Sequence, residues 1–476
     1  MAVSGGRCYT LVATEHGDVY SFGLNADWQL GDCISEPTEG MLHAKDDFPE
    51  PHLLSHATKF AGEEVMMVAA GLFTSAAVTK QGSLFTWGTG KGLGHNGTHV
   101  APERLGMEHF GDSHVVMVDC GYKSTIVLTA SGQVWTCGQP YLKEQLQTYI
   151  DVFCLVDPER FKNRKIVMVA CGFRHRMAID EDGMLWTWGA NLFGELCESE
   201  VDRGSIYPVA IAAAKFGDNK VVHVDGGNGY TMVVTEDGSL WACGRGHNGC
   251  LGTGILDNIQ TPQRVGGGEM FGGHGVRMTS CGQDHTLIVG KDNRMWACGD
   301  GCHCELGMRE IQCMYFCTVP TLIPNTAKFV NSNIMTVSAG TRHSVAVMCD
   351  GTIYTWGRRL CLGPRMSHRV AGLGQGDGEY VTTPQQLNPA LFHGARIGHW
   401  YPWFSTHPDH AMAVAMGLHN GLGADCQFSG LPPELLHCFL GISMHSNQQY
   451  GPGILALLGL HAAVEYADFE PAVPAP

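Results

Sequence analysis

The chain has 476 residues, 44% of them hydrophobic and 16% charged, so a large buried core is within reach and wholesale disorder is excluded. Lysine and arginine total 30 against 46 acidic residues, a formal charge of −16, which lacks the basic footprint of a nucleic-acid binder. Glycine is the outlier at 63 residues, about 13% against a usual ~7%, and it shows no Gly-X-Y period, so collagen is excluded and the glycines belong to turns.

The first eighteen residues lack a basic region followed by an unbroken apolar stretch, so no signal peptide is expected. Ile454 to Val464, the longest apolar candidate, is broken by Gly459 and His461 and is too short to span a bilayer. Nineteen cysteines without a leader predict reduced thiols in the cytoplasm or nucleus rather than a disulfide framework.

From Gly6 onward one spacing recurs. Gly6, Gly17 and Gly23 are followed by Gly71, Gly82 and Gly88, by Gly121, Gly132 and Gly138, and by Gly172, Gly183 and Gly189. Gly227, Gly238 and Gly244 come next, then Gly282, Asn293 and Gly299, and last Gly340, Gly351 and Gly357. The middle member lies in pairs such as Asp182-Gly183 and Asp292-Asn293, residues that tolerate the positive φ of a tight hairpin. Period-two alternation flanks it, as in Ser83-Leu84-Phe85-Thr86-Trp87, so each copy predicts a β-hairpin. An aromatic stands three residues before each closing glycine (Tyr20, Phe85, Trp135, Trp186, Trp241, Trp296, Tyr354), and core packing is the expected role.

A further apolar strand precedes each hairpin (Val65-Met66-Met67-Val68, Ile166-Val167-Met168-Val169), and the loop after it often ends in Leu-Gly or Leu-Cys, as at Leu30-Gly31 and Leu196-Cys197. Seven such units of roughly 55 residues, each with about four strands, predict an all-β, seven-bladed propeller. The paired glycines of kelch repeats and the Trp-Asp endings of WD40 repeats do not occur. Residues 32–64 read as the longest insertion between blades. Residues 395–416, with a strand-like Asp409-His410-Ala411-Met412-Ala413-Val414, are expected to complete the blade that the N-terminus opens.

The copy Cys171-Gly172-Phe173-Arg174-His175 through Asp182-Gly183-Met184-Leu185-Trp186-Thr187-Trp188-Gly189 resembles the RCC1 (regulator of chromosome condensation) repeat family. The resemblance covers roughly residues 3–416 and implies a seven-bladed RCC1-like propeller over residues 1–419, leaving residues 420–476 as a short, partly helical C-terminal tail. Such propellers are known as a guanine-nucleotide exchange factor for the small GTPase Ran, as ubiquitin-ligase or ciliary scaffold modules, and as a plant UV-B photoreceptor. Neither an exchange wedge nor a basic N-terminal tail aligns here. The photoreceptor's Gly-Trp-Arg-His-Thr motif has its nearest match at Gly172-Phe173-Arg174-His175-Arg176, with Phe in place of Trp.

Few residues carry a chemical signature of their own. His175, His285 and His343 stand where other copies have Tyr9, Thr74, Ser124 or Tyr230, so the position reads as a polar anchor and not a catalytic base. Gly244-Arg245-Gly246-His247-Asn248-Gly249 matches G-x-G-x-x-G but closes a hairpin instead of opening a helix, so no nucleotide site is expected. Cys302, Cys304, Cys313 and Cys317 are the candidate metal ligands, although their spacing fits free thiols in a loop better than structural zinc. No cofactor and no catalytic residue are expected.

Function is then expected in the loops. Arg358, Arg359, Arg365 and Arg369 concentrate positive charge within a dozen residues and are the candidates for binding an acidic partner. Leu431-Pro432-Pro433-Glu434-Leu435-Leu436-His437-Cys438-Phe439-Leu440 reads as a helix weakly resembling the opening of an F-box. The expected function is a non-catalytic protein-interaction scaffold binding through inter-blade loops. The rivals are exchange on a Ran-type GTPase and a ubiquitin-ligase substrate adaptor acting through the tail.

Overall fold

A computed structural model describes residues 3–32, 47–95, 97–138, 150–267, 269–308, 316–324, 333–358, 380–393 and 395. It forms seven four-stranded antiparallel sheets, each a simple meander in chain order. The blades span residues 3–54, 65–105, 115–155, 166–211, 221–264, 276–322 and 334–386. Among the described residues no helix is long and apolar enough to cross a membrane.

The predicted hairpins form where the glycine spacing places them. Gly17, Gly82, Gly132, Gly183, Gly238 and Gly351 all turn at φ between +79° and +84°, and Asn293 makes the same turn at +65°. Apolar side chains from facing sheets bury at every junction. Leu287, Val289, Ile334, Val337 and Trp356 fill the sixth junction, while Val3, Val12, Phe22, Val345 and Val347 fill the one between blade seven and blade one.

Two parts of the sequence reading are corrected. Residues 32–64 are not simply an insertion, because Phe48–Leu54 is the outer strand of blade one and pairs with Val19–Gly23. Its Pro51 lies where the register breaks between Ser21 and Gly23, so the missing N–H costs no ladder bond. Pro102, Pro208, Pro262, Pro320 and Pro384 sit at the same break in their own outer strands. Second, blade one is complete within residues 3–54, its innermost strand being Val3–Gly5, so it does not need residues 395–416.

The ring closes through repeat contacts. The first glycine of each repeat lines the axial channel against the carbonyl of its neighbour. A Cβ would lie 2.6 Å from Gly121 O at Gly71, 2.6 Å from Gly172 O at Gly121, and 2.8 Å from Gly6 O at Gly340. Only glycine fits so close an approach. In the linkers, a phenylalanine packs edge-on against the hairpin aromatic of the following blade: Phe60 on Phe85, Phe110 on Trp135, Phe161 on Trp186, Phe216 on Trp241 and Phe271 on Trp296. Phe392, after blade seven, takes the same position on Tyr20 of blade one with centroids 5.0 Å apart.

The residues read as polar anchors join one blade to the next. His175 Nε2 lies 2.9 Å from Thr231 Oγ1, and His285 Nε2 lies 2.9 Å from Ser344 Oγ. Tyr9 donates its hydroxyl to Thr74 O at 2.8 Å, and Tyr230 donates to His285 O at 2.7 Å. Burial lowers the histidines, His175 and His285 to about 3 and His343 to about 4, so they stand neutral at neutral pH as buttresses between blades.

Candidate interaction face

Among the described residues, two kinds of loop reach the same end of the ring. One joins the first and second strands; the other follows the closing glycine, which pairs with the first residue of the second strand, as Gly357 does with His343. The two positions after each channel glycine crown this end: Arg7-Cys8, Leu72-Phe73, Tyr122-Lys123, Phe173-Arg174, Asn228-Gly229, Gln283-Asp284 and Thr341-Arg342. They hold four cations, Arg7, Lys123, Arg174 and Arg342, and one acid, Asp284. The positive balance is confined to these positions at the channel rim, because the loops after the closing glycines carry acids such as Asp27, Glu195, Asp257 and Asp300.

The acid is already satisfied within the fold. Asp284 pairs with Arg245, accepts from Asn248 Nδ2 at 2.7 Å and accepts from Gln283 Nε2 at 2.8 Å. Across the mouth, three aromatics from successive blades lie side by side. Tyr122 and Phe173 stack with centroids 4.5 Å apart at 13°, and Phe73 leans on Tyr122 at 5.8 Å. Cations cover them: Arg7 over Phe73 at 5.4 Å, Lys123 over Tyr122 at 5.2 Å, and Arg174 over Phe173 at 5.4 Å. All three rings are half-buried.

The channel mouth is a cavity of ≈ 90 Å³ lined by the channel glycines and their neighbours. That is small beside the roughly 300 Å³ or more of small-molecule sites, so this end suits docking of side chains across its surface.

Arg358 ends the strand Ile353–Arg358 beside Arg342, donating its backbone N–H to Arg342 O at 2.9 Å. Arg359, Arg365 and Arg369 lie outside the described residues, as do Cys313, the segment around Leu431 and the whole of residues 420–476. Cys302 and Cys304 stand in the loop after Gly299, and Cys317 opens the next strand opposite Gly299. The described group with metal-type ligand atoms within 4.8 Å of one another is a different one, Asp300, His303 and Glu305.

These three have loop-building roles. Asp300 Oδ1 accepts from Cys302 N at 2.9 Å, and the buried Glu305 Oε2 accepts from His303 N at 2.7 Å. Gln29 and Glu195 make the same bond at the same repeat position, to Asp27 N and Phe193 N. Burial pushes Glu195 and Glu305 above the usual carboxylate range. Gly244–Gly249 closes a hairpin and enters a loop, as its spacing predicts.

The aromatic–cation cluster escaped the sequence reading because its members are ~50 residues apart. Their common offset from the channel glycines is the signal that locates them.

A ring of seven four-stranded blades defines a class of propellers. Within it, the family model for the RCC1-like domain matches residues 1–312 and that for the RCC1 repeat matches residues 336–358. The chain belongs to the RCC1 family. It is 32% identical over 291 residues to the ultraviolet-B receptor UVR8 of Arabidopsis thaliana, covering 59% of this chain and 61% of that one. It is 26% identical over 367 residues to the human E3 ubiquitin-protein ligase HERC2, covering 73% of this chain and 7% of that one. It is 27% identical over 201 residues to the secretion-regulating guanine nucleotide exchange factor of Bos taurus, covering 39% of each. The chain thus spans less than two thirds of the length of each of these relatives. Among solved structures, Prp20p of Saccharomyces cerevisiae superposes with a TM-score of 0.64 at 19% identity, over 80% of this chain and 87% of that one. Human WBSCR16 gives 0.63 at 19%, over 78% and 94%. Both show the shared fold.

Proposed function

We propose that this protein is a non-catalytic interaction scaffold that docks an acidic segment of a partner protein on the crowned end of its propeller. The observation that carries this reading is the run of Phe73, Tyr122 and Phe173 interleaved with Arg7, Lys123 and Arg174. Flat, half-buried rings supply contact area at small entropic cost, and the cations attract carboxylates and set orientation. Arg358, Arg359, Arg365 and Arg369 extend the same positive surface in this proposal.

The test is to immobilise the full chain and the Tyr122→Ala/Arg174→Glu double variant and to quantify the proteins each retains at low and raised salt. Acidic partners are expected to fall roughly tenfold or more in the variant, about 1.4 kcal/mol, and to wash off wild type as salt rises. An unchanged partner set on a variant with wild-type melting temperature refutes the reading.

Exchange activity is the second reading, favoured by the relative named as a guanine nucleotide exchange factor. Release of fluorescent GDP from purified Ran decides it: acceleration of ~10²-fold, about 2.7 kcal/mol off the barrier, makes the chain an exchange factor. The adaptor reading rests on the segment around Leu431. It requires that removing residues 420–476 abolish capture of ubiquitin-ligase components while the melting temperature stays unchanged.

A further inference from the structure

In blades one, five and six the loop after the hairpin ends in Leu30-Gly31, Leu251-Gly252 and Leu306-Gly307, with φ of +78°, +68° and +70°. Blade four ends the same loop in Leu196-Cys197, and Cys197 adopts φ +61°. A side chain thus occupies a left-handed position that its counterparts leave to glycine.

The glycines all face one position, the residue before the closing glycine of the following blade. A Cβ would lie 2.9 Å from Trp87 Nε1 at Gly31, 3.1 Å from Cys298 Sγ at Gly252, and 2.9 Å from Trp356 Nε1 at Gly307. At the junction of blades four and five that residue is Cys243. Its Cα lies 5.6 Å from that of Cys197, within the span of a disulfide, and the two sulfurs are bonded. The expectation that the thiols are reduced therefore fails at this pair, and it fails at Cys8, which is disulfide-bonded as well. Cys298, at the same repeat position as Cys243, faces Gly252 and remains a thiol. The bond exists where cysteine has replaced the glycine.

We propose that Cys197 and Cys243 form a reversible disulfide lock between blades four and five, closed by exchange with a low-molecular-weight disulfide such as glutathione disulfide. The Cys197 thiolate attacks one glutathione sulfur and displaces a glutathione thiolate. The Cys243 thiolate then attacks the Cys197 sulfur of the mixed disulfide and displaces the second glutathione. Two cysteine thiols lose two protons and two electrons, and one glutathione disulfide becomes two glutathione thiols.

The lock ties down the connection between the strands Leu185–Asn191 and Arg203–Ile211, which emerges at the crowned end of the ring. Both sulfurs are buried, so exchange requires this connection to lift; Leu192, at its start, is half exposed. Burial pushes other core thiols up, Cys120 and Cys250 to about 12, which leaves them poor competitors for exchange.

The full chain is equilibrated across a series of glutathione ratios, quenched in acid, alkylated and peptide-mapped without reduction. The Cys197 and Cys243 peptides are expected to be linked at oxidising ratios and doubly alkylated at reducing ones. Oxidation is expected to raise the melting temperature by a few degrees and slow amide exchange over residues 192–202. Cys197→Gly, which restores the repeat's glycine, is expected to fold, to match or exceed reduced wild type in stability, and to lose the redox-dependent shift; Cys243→Ser is expected to lose the shift as well. Alkylation of both cysteines at every ratio, linkage at every ratio, or an undiminished shift in Cys197→Gly overturns the proposal.

Discussion

His343 Nε2 and Thr10 Oγ1 lie 3.1 Å apart across 333 residues of chain, and their contact bridges the last blade to the first. Both residues are fully or almost fully buried, so neither can exchange its partner for water. His343→Ala leaves the Thr10 hydroxyl without this partner and is expected to destabilise the ring by about 1–3 kcal/mol plus the cost of the cavity. Urea unfolding of the variant, compared with His109→Ala at an exposed linker position, checks this.

The buried histidines also impose a pH dependence. The unfolded chain takes up protons below about 6.5, whereas His343 in the folded protein holds out to about 4, so its contribution is intact above 6.5 and is lost as pH falls. The stability advantage of wild type over His343→Gln is expected to shrink by up to ~1.4 kcal/mol per pH unit below about 6.5. Asp225 has the opposite sign. Burial pushes it up to about 8, so its contribution is lost as pH rises towards that value. Asp225→Asn is expected to gain on wild type between pH 5 and 8 and to level off beyond; denaturation at stepped pH reads both.

Two aspartates compensate for two alanines on the channel strands. At most junctions a side chain accepts the backbone N–H of the next blade: Ser4 from Ala70, Ser280 from Ala339 and Ser338 from Gly5. Ala69 of blade two has no acceptor, and Asp119 of blade three accepts from both Cys120 N at 2.8 Å and Cys171 N at 2.7 Å. Asp225 does the same for Gly226 and Cys281, after Ala170. Asp119→Ser is expected to serve Cys171 alone and to cost about 1–3 kcal/mol for the N–H of Cys120. Adding Ala69→Ser is expected to recover part of the loss, a coupling that a double-mutant cycle measures.

The channel glycines tolerate no side chain. A Cβ at Gly282 would lie 2.5 Å from Gly340 O, whereas at Gly267 it meets nothing within 4 Å. Gly282→Ala is expected to lower stability by several kcal/mol, roughly 3 or more, and Gly267→Ala to fall within about 0.5 kcal/mol of wild type. Thermal melts of the pair suffice.

A disulfide is expected to be transferable to the next junction. Gly252 faces Cys298 as Cys197 faces Cys243, so Gly252→Cys is expected to yield a linked Cys298 peptide under oxidising conditions. The same non-reducing peptide map detects it.

The hairpins, their number and the aromatic before each closing glycine were legible from residue types alone. They rest on local rules: a turn that only glycine or asparagine enters cheaply, and side chains that alternate across a strand. The outer strand Phe48–Leu54 was hidden inside an apparent insertion because its register breaks around Pro51 and blurs the alternation. The linker phenylalanines, the choice of Val3–Gly5 to complete blade one, the pairing of His343 with Thr10 and the stacking of Tyr122 on Phe173 were decided by the ring. The contacts range from Val3–Gly5 on the neighbouring strand, through Tyr122 on Phe173 about 50 positions away, to His343 on Thr10 across 333, and no local periodicity specifies which of several similar side chains meets which. Of the arginine cluster, Arg358 alone lies within the described residues, beside Arg342. The repeat thus made the blades readable one by one, and the contacts between blades, which depend on closing the circle, created the aromatic–cation cluster.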